Sequence, residues 1–301
     1  MIENSKSVVQ SGNSNVRSAL VKAFESWQTP FDTRPDGVFG SVAIIRSRDV
    51  TLSSKDLDVE FVVPFDDDME ANEAEITIYN LSDNTIKNIE QDAAITIEAG
   101  YEGDTGVLFE GMVSKVKTVY EGADKVTTIY ALDDFKEHPI ESIAFAANTN
   151  ASYILRQLIE KTGIPVAAFN PRRDHVYVDS QTVDGDLMEN IKKYAEVCGI
   201  SVYVCQGKIY ARYITEGDGV NFNVSSETGM IGSPSAYTED IKAADFVETV
   251  NGYEVSMLLQ HRMRTGAIVE LESKAAVGTY RVCKGVHRFS PDEAITEIKM
   301  Y

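Results

Sequence analysis

Four histidines, three cysteines and 47 carboxylates are the side chains of this 301-residue chain with the most chemical potential. Their spacing does not assemble them into a site. His138, His175, His261 and His287 lie far apart, and none has the spacing of a zinc ligand set. His261 has Arg262 and Arg264 beside it, and neighbouring positive charge disfavours the protonated imidazole. Cys198, Cys205 and Cys283 leave one thiol over in any disulfide scheme, so they read as buried thiols acting as small hydrophobes. Cys198 ends a predicted helix, where the dipole raises a thiol's pKa. There is no Gly-x-Ser-x-Gly elbow and no phosphate-cradling glycine loop. Carboxylates are plentiful, but a glycosidase pair needs a fixed separation and opposed environments. These residues argue against an enzyme, and they imply neither metal nor cofactor.

The densest acidic run is Asp66-Asp67-Asp68-Met69-Glu70-Ala71-Asn72-Glu73-Ala74-Glu75. It lacks the glycine and ligand spacing of a calcium loop and reads as a solvated connection between strands. Formal net charge is −19, and residues 41–140 alone hold 8 Lys and Arg against 22 Asp and Glu. Such a surface repels phosphate and argues against nucleic-acid binding. Arg172-Arg173 has no aromatic or basic company and reads as surface charge. No apolar run approaches the roughly 18 residues of a membrane helix. The polar opening, Met1 to Asn15, carries no secretory segment, so folding in a reducing cytoplasm is expected.

The elements around these residues are mostly strands. Val16, Leu20, Ala23, Phe24 and Trp27 fall on one face of a short helix, an arm for its own domain or a neighbouring subunit. Pro30, Pro35, Asp36 and Gly37 mark the loop that follows. From residue 41 to about 140, six runs from Val42 to Leu132 read as strands, with Asp83 to Ile89 a helical turn capped by Ser82 or Asp83. Glu121-Gly122-Ala123-Asp124 is a four-residue hairpin connection. Residues 141–213 carry helices over Ala151 to Thr162 and Gly185 to Cys198, each followed by glycine, plus a hairpin around Gln206-Gly207. Residues 214–301 return to strands, entered through a linker at Gly232-Ser233-Pro234. The expected fold is mainly β, with β-barrels at 41–140 and 214–301 flanking a small α+β domain, behind an arm at 1–40.

Three ordered segments carry a resemblance. The first is Ile78-Tyr79-Asn80-Leu81-Ser82, then Ala99-Gly100-Tyr101, then Phe109-Glu110-Gly111. The second runs from Ala151-Ser152-Tyr153-Ile154-Leu155 through Gly163-Ile164 to Cys198-Gly199-Ile200 and Tyr203 to Tyr210. The third runs from Met230-Ile231-Gly232-Ser233-Pro234 through Ser256-Met257-Leu258-Leu259 and Ile268 to Ser273, closing on Gly278-Thr279-Tyr280-Arg281-Val282 and Val286-His287. Together they resemble the baseplate hub proteins of phage tails and related injection particles. Gln260-His261 departs from that pattern, which carries a proline after the leucines.

The resemblance implies a homotrimeric ring in the virion tail baseplate, assembled in the host cytoplasm. Two tube-like barrels per chain let three copies match a sixfold tail tube to a threefold spike or tip. Implied partners are tube, spike and other baseplate proteins, with DNA passing unbound and no membrane insertion. Asp66, Asp67, Asp68, Glu70 and Glu73 would then face the channel, and Val16, Leu20, Phe24 and Trp27 would form an inter-subunit arm. The competing readings are a carbohydrate- or cell-wall-binding β-module and a tail hydrolase with an appended catalytic domain.

Overall fold

The computed structural model describes residues 40–133, 139–243 and 246–301. Strands β1 (Ser41–Ser47), β2 (Val50–Ser53), β3 (Val59–Phe65) and β4 (Glu73–Tyr79) come first, then the one-and-a-half-turn helix α1 (Asp83–Asn88). β5 (Ala94–Tyr101), β6 (Asp104–Glu121) and β7 (Asp124–Leu132) complete this part. Burial alternates along β3 and along β4, where Ala74, Ile76 and Ile78 are buried and Glu73 and Glu75 exposed. Ser82 caps α1 by accepting the Thr85 amide at 3.1 Å. The β6–β7 hairpin turns more tightly than expected. Glu121 pairs with Asp124, leaving Gly122 and Ala123 as a two-residue loop, with Gly122 at φ +64.

The middle part has its own core. β8 (Pro139–Phe145) pairs with β12 (Gln181–Asp186), and β9 (Thr149–Asn150) with β11 (Val176–Tyr177). β13 (Ser201–Cys205) and β14 (Lys208–Arg212) form a hairpin that β10 (Val166–Phe169) joins in parallel. Two helices, α2 (Ala151–Lys161) and α3 (Leu187–Cys198), pack their apolar stripes together through Ile154, Leu155, Leu158, Ile191 and Tyr194. Asp174 lies outside α2 yet accepts the Ser152 amide at 3.0 Å, replacing a side-chain cap from Asn150. Gly199 ends α3 in the left-handed region.

The closing part comprises β15 (Val220–Ser225), β16 (Met230–Ala243), β17 (Phe246–Leu258), β18 (Ile268–Glu272), β19 (Val277–Phe289) and β20 (Ala294–Met300). Gly232-Ser233-Pro234 is not a linker before this sheet. It is a bulge inside β16, between the pairs Ile231–Ser256 and Ser235–Glu254. β16 ends the sheet, and an edge strand tolerates a proline that a central strand does not.

The two β parts share one sheet, in the order β16-β17-β20-β19-β3-β4-β7-β6-β5-β1-β2. Their join is the antiparallel pairing of β3 with β19, from Phe61–Phe289 to Phe65–Gly285. Phe61 and Phe289 stack there with centroids 5.2 Å apart. Each half curls about its own apolar cluster. The first joins Ala43 of β1, Leu52 of β2 and Phe61 of β3, and the second joins Val224 of β15 to Met257 of β17. Among the described residues no sheet closes on itself, and the fold is mainly β with a mixed insert. No described helix is long and apolar enough to cross a membrane.

Phe289→Ala removes the ring shared by both sides of the β3–β19 join. It is expected to cost about 3–5 kcal/mol, read as a lower urea midpoint for the whole sheet signal.

Candidate assembly site: the acidic turn, its arginine seat and the free edges

The turn between β3 and β4 holds the acidic run. Asp66 and Asp67 are half-buried, while Asp68, Glu70 and Glu73 are exposed. Asp68 folds the turn on itself by accepting the Glu70 amide at 2.7 Å. The Thr265 hydroxyl donates to the Asp66 carbonyl at 2.9 Å. Burial, then the neighbouring Asp68 charge, pushes the Asp66 carboxyl up to about 6.

Asp67 turns inward. Its Oδ2 lies 2.6 Å from Arg281 Nη1, and the Arg281 side chain is 1% exposed. Arg281 Nε donates to the Glu216 carbonyl at 2.9 Å, and its guanidinium lies 5.7 and 5.9 Å from the Tyr203 and Tyr301 ring centroids. Burial works against the guanidinium charge, but Asp67, Tyr301 and Tyr203 outweigh it and hold Arg281 protonated. The acidic run is therefore not wholly solvated. One of its carboxylates is the counter-charge of a buried arginine.

Two further arginines lie near Arg281. Arg212 Nη1 donates to Asp218 Oδ1 at 2.9 Å and its Nε to the Tyr203 hydroxyl at 3.0 Å. Arg264 Nη2 is 2.5 Å from Asp218 Oδ2. Tyr203 and Tyr210 stack at 5.3 Å, with Arg212 4.7 Å from the Tyr210 ring. Gly266 sits at φ +79, where a Cβ would fall on Arg212 and the Tyr203 hydroxyl. Sequence reading missed this seat because its members are dispersed through the chain. The available signal was an arginine flanked by apolar residues within a strand: Arg212 between Ala211 and Tyr213, Arg281 between Tyr280 and Val282.

The remaining candidates fall into structural places. Arg173 donates to the Val197 and Glu196 carbonyls at 3.1 and 3.2 Å, so this half of the basic pair caps α3 rather than serving as loose surface charge. The Arg172 guanidinium lies 3.5 Å from the Tyr213 ring centroid. All three cysteines are free and buried. Burial, more than Asp174, pushes Cys198 up to about 11, and burial does the same to Cys283. His261 has its pKa lowered by burial and then by Arg262. His287 is buried between Met263 O at 3.1 Å and Thr296 Oγ1 at 2.8 Å. The carbonyl can only accept, so Nε2 carries the proton and Nδ1 accepts from Thr296. Desolvation lowers its pKa to about 3. Val16, Leu20, Phe24 and Trp27 lie outside the described residues.

Of the strand edges left unpaired among the described residues, two are long: the outer part of β6 and β16. β6 pairs with β5 only up to Met112, so Ser114 to Glu121 are paired with β7 alone. β16 pairs on one side only, with β17. Beyond Tyr253 the β16–β17 hairpin leaves the sheet, and Phe246 to Gly252 pair with β16 alone.

Asp67→Asn leaves Arg281 buried without its counter-charge and is expected to cost about 3–5 kcal/mol in urea unfolding. Two large shifts of opposite sign act between pH 6 and 4. Asp66 binds its proton earlier folded than unfolded, so it adds stability as pH falls from about 6 towards 4. His287 resists protonation when folded, so stability is lost as pH falls from 6.5 towards about 3. The two nearly offset between pH 6 and 4. Asp66→Asn uncovers the histidine, and stability is expected to fall there by up to about 1.4 kcal/mol per pH unit more than in the parent.

The architecture recurs in proteins of very different sequence. The 43 kDa tail protein of prophage MuSo2 from Shewanella oneidensis superposes with a TM-score of 0.61 at 9% identity, covering 86% of this chain and 96% of that one. A tail protein from Neisseria meningitidis MC58 gives 0.62 at 6% identity, over 87% and 96% of the two chains. The E. coli c3393 protein, a type VI secretion component described as similar to the phage T4 tail proteins gp27 and gp5, gives 0.58 at 9% identity, over 85% and 76%. At such identities the likeness is one of fold. No curated protein matches the sequence. The sequence pattern of the family described as baseplate hub gp41 matches residues 73–283, which begin just after the acidic turn and take in the arginines of the seat, the outer part of β6 and β16. The chain belongs to the baseplate hub gp41 family.

Proposed function

We propose that this chain is the structural hub of a tail baseplate, three copies of which close a ring between a sixfold tube and a threefold spike or tip. The observation that carries the reading is the β3–β19 join. One chain holds two curled β halves fused edge to edge, and the sheet they form leaves pairing capacity on its terminal strand β16 and along the outer part of β6, which lies beyond β5. Repeating the same edge pairing between copies would make a head-to-tail interface, which closes when the rotation allows it. The β16–β17 ribbon favours such an occupant, because an isolated two-stranded ribbon is marginal in water. Charge is complementary as well. The β6 edge carries exposed Lys115 and Lys117, and the ribbon carries Glu239 and Asp240.

In that ring Asp68, Glu70 and Glu73 are the exposed members of the acidic turn and the candidates for a wall that DNA passes without sticking. Screening would confine their effect to about 8 Å at physiological salt. Asp67 is excluded from the role by its pairing with Arg281. The stripe Val16, Leu20, Phe24 and Trp27 would pack on a neighbouring copy, with tube, spike and other baseplate proteins as further partners in the virion tail. The family supports a structural rather than catalytic role.

Light scattering of the full chain is expected to give a three-chain mass that Lys115→Glu with Lys117→Glu abolishes and added Glu239→Lys with Asp240→Lys restores. A trimer indifferent to these changes would sink the edge assignment. A monomer at every concentration, with and without tube protein, would sink the ring.

A further inference from the structure

We propose that the mixed α+β segment, residues 139–212, is held on the sheets by a detachable charged seat and lifts from them as a rigid body while both sheets stay folded. The inference concerns the chain's own mechanics and does not rest on the hub reading. Its basis is a contrast between two joins. The β3–β19 join combines a strand ladder with stacked rings and clusters that cross it, since Phe289 belongs to the first core and Phe65 packs on the second. Among the described residues the seat has no strand ladder and no stacked rings across it. The core of the mixed segment takes only the half-buried Met69 from outside its own residues, and it shares no member with either sheet core.

What fastens the seat is polar. Arg212 at the end of β14 meets Asp218 of the following connection, and Arg264 of the loop before β18 meets the same carboxylate. Arg281 of β19 lies against the Tyr203 ring of β13, and Asn170 donates to Glu216 at 3.2 Å. A small cleft of about 10 Å³ there is lined by Met69 and Asn72 on the sheet side and by Met188, Ile191, Val202 and Ile209 on the segment side. Arg264 Nη1 and Arg281 Nη2 are buried without a hydrogen-bond partner. An interface of paired charges and rings resembles transient contacts between domains, for which relative motion is the default. A ladder with a shared core does not part without unfolding.

The three buried thiols report on the three places separately. Cys205 ends β13 at the seat beside Arg264, Cys198 lies in the core of the mixed segment, and Cys283 lies in β19. In the native full chain, Cys205 is expected to react with a thiol reagent at least about tenfold faster than Cys198 or Cys283, relative to each thiol's rate in urea. Asp218→Asn is expected to widen that ratio, with Cys198 and Cys283 unmoved. Equal protection of all three thiols in the parent chain would overturn the proposal, because only global unfolding then exposes the seat. If Asp218→Asn does not fold, the parent ratio decides. If it folds and leaves Cys205 unmoved, the charged seat is not the fastening and the proposal fails.

Discussion

The antiparallel ladder between β3 and β19 is the constraint on which the rest depends. Backbone amides and carbonyls at a strand edge need partners when buried, and pairing the last strand of one half with a strand of the other supplies them over five residue pairs. Alternation then fixes which side chains meet. Phe61 lies opposite Phe289 and Val63 opposite His287, so the apolar faces of both halves arrive on the same side. A slip of one residue would turn those faces out. The ladder thus sets register, core and the direction of every strand beyond it.

Where the ladder ends, charge takes over. β3 runs out at Phe65, and the next two residues meet Thr265 and Arg281 rather than another strand. A guanidinium buried this deeply is weak evidence for stability, since desolvation consumes most of what the ion pair returns. Its strength is specificity. Arg281 reaches Asp67, the Glu216 carbonyl and two tyrosine rings from a single position, and no apolar side chain of similar volume fixes four elements at once.

Much of this was legible in the sequence, for physical reasons. Period-two burial marked β4, β5 and β20, and the apolar stripes with following glycines marked α2 and α3. The family followed from ordered motifs spread over most of the chain. What stayed hidden depends on distant partners. Short strands such as β2 and β10 carry too few residues to show a period, and their pairing decides them. Pro234 signalled a linker because its effect on a strand depends on whether its amide is needed, which only the neighbour settles. The seat was invisible because Asp67 and Arg281 are 214 positions apart and look solvated when read one at a time.

The bulge at Gly232-Ser233-Pro234 has a further consequence. A long bare edge templates any passing strand, and such chains clump unless something interrupts the row of free amides. Here a kink and a ring nitrogen without hydrogen break the row near the base of β16, while like charge on every copy slows encounters between wrong faces. The chain thereby keeps one short stretch open to pairing and the remainder guarded, which disfavours runaway edge-to-edge association into fibres.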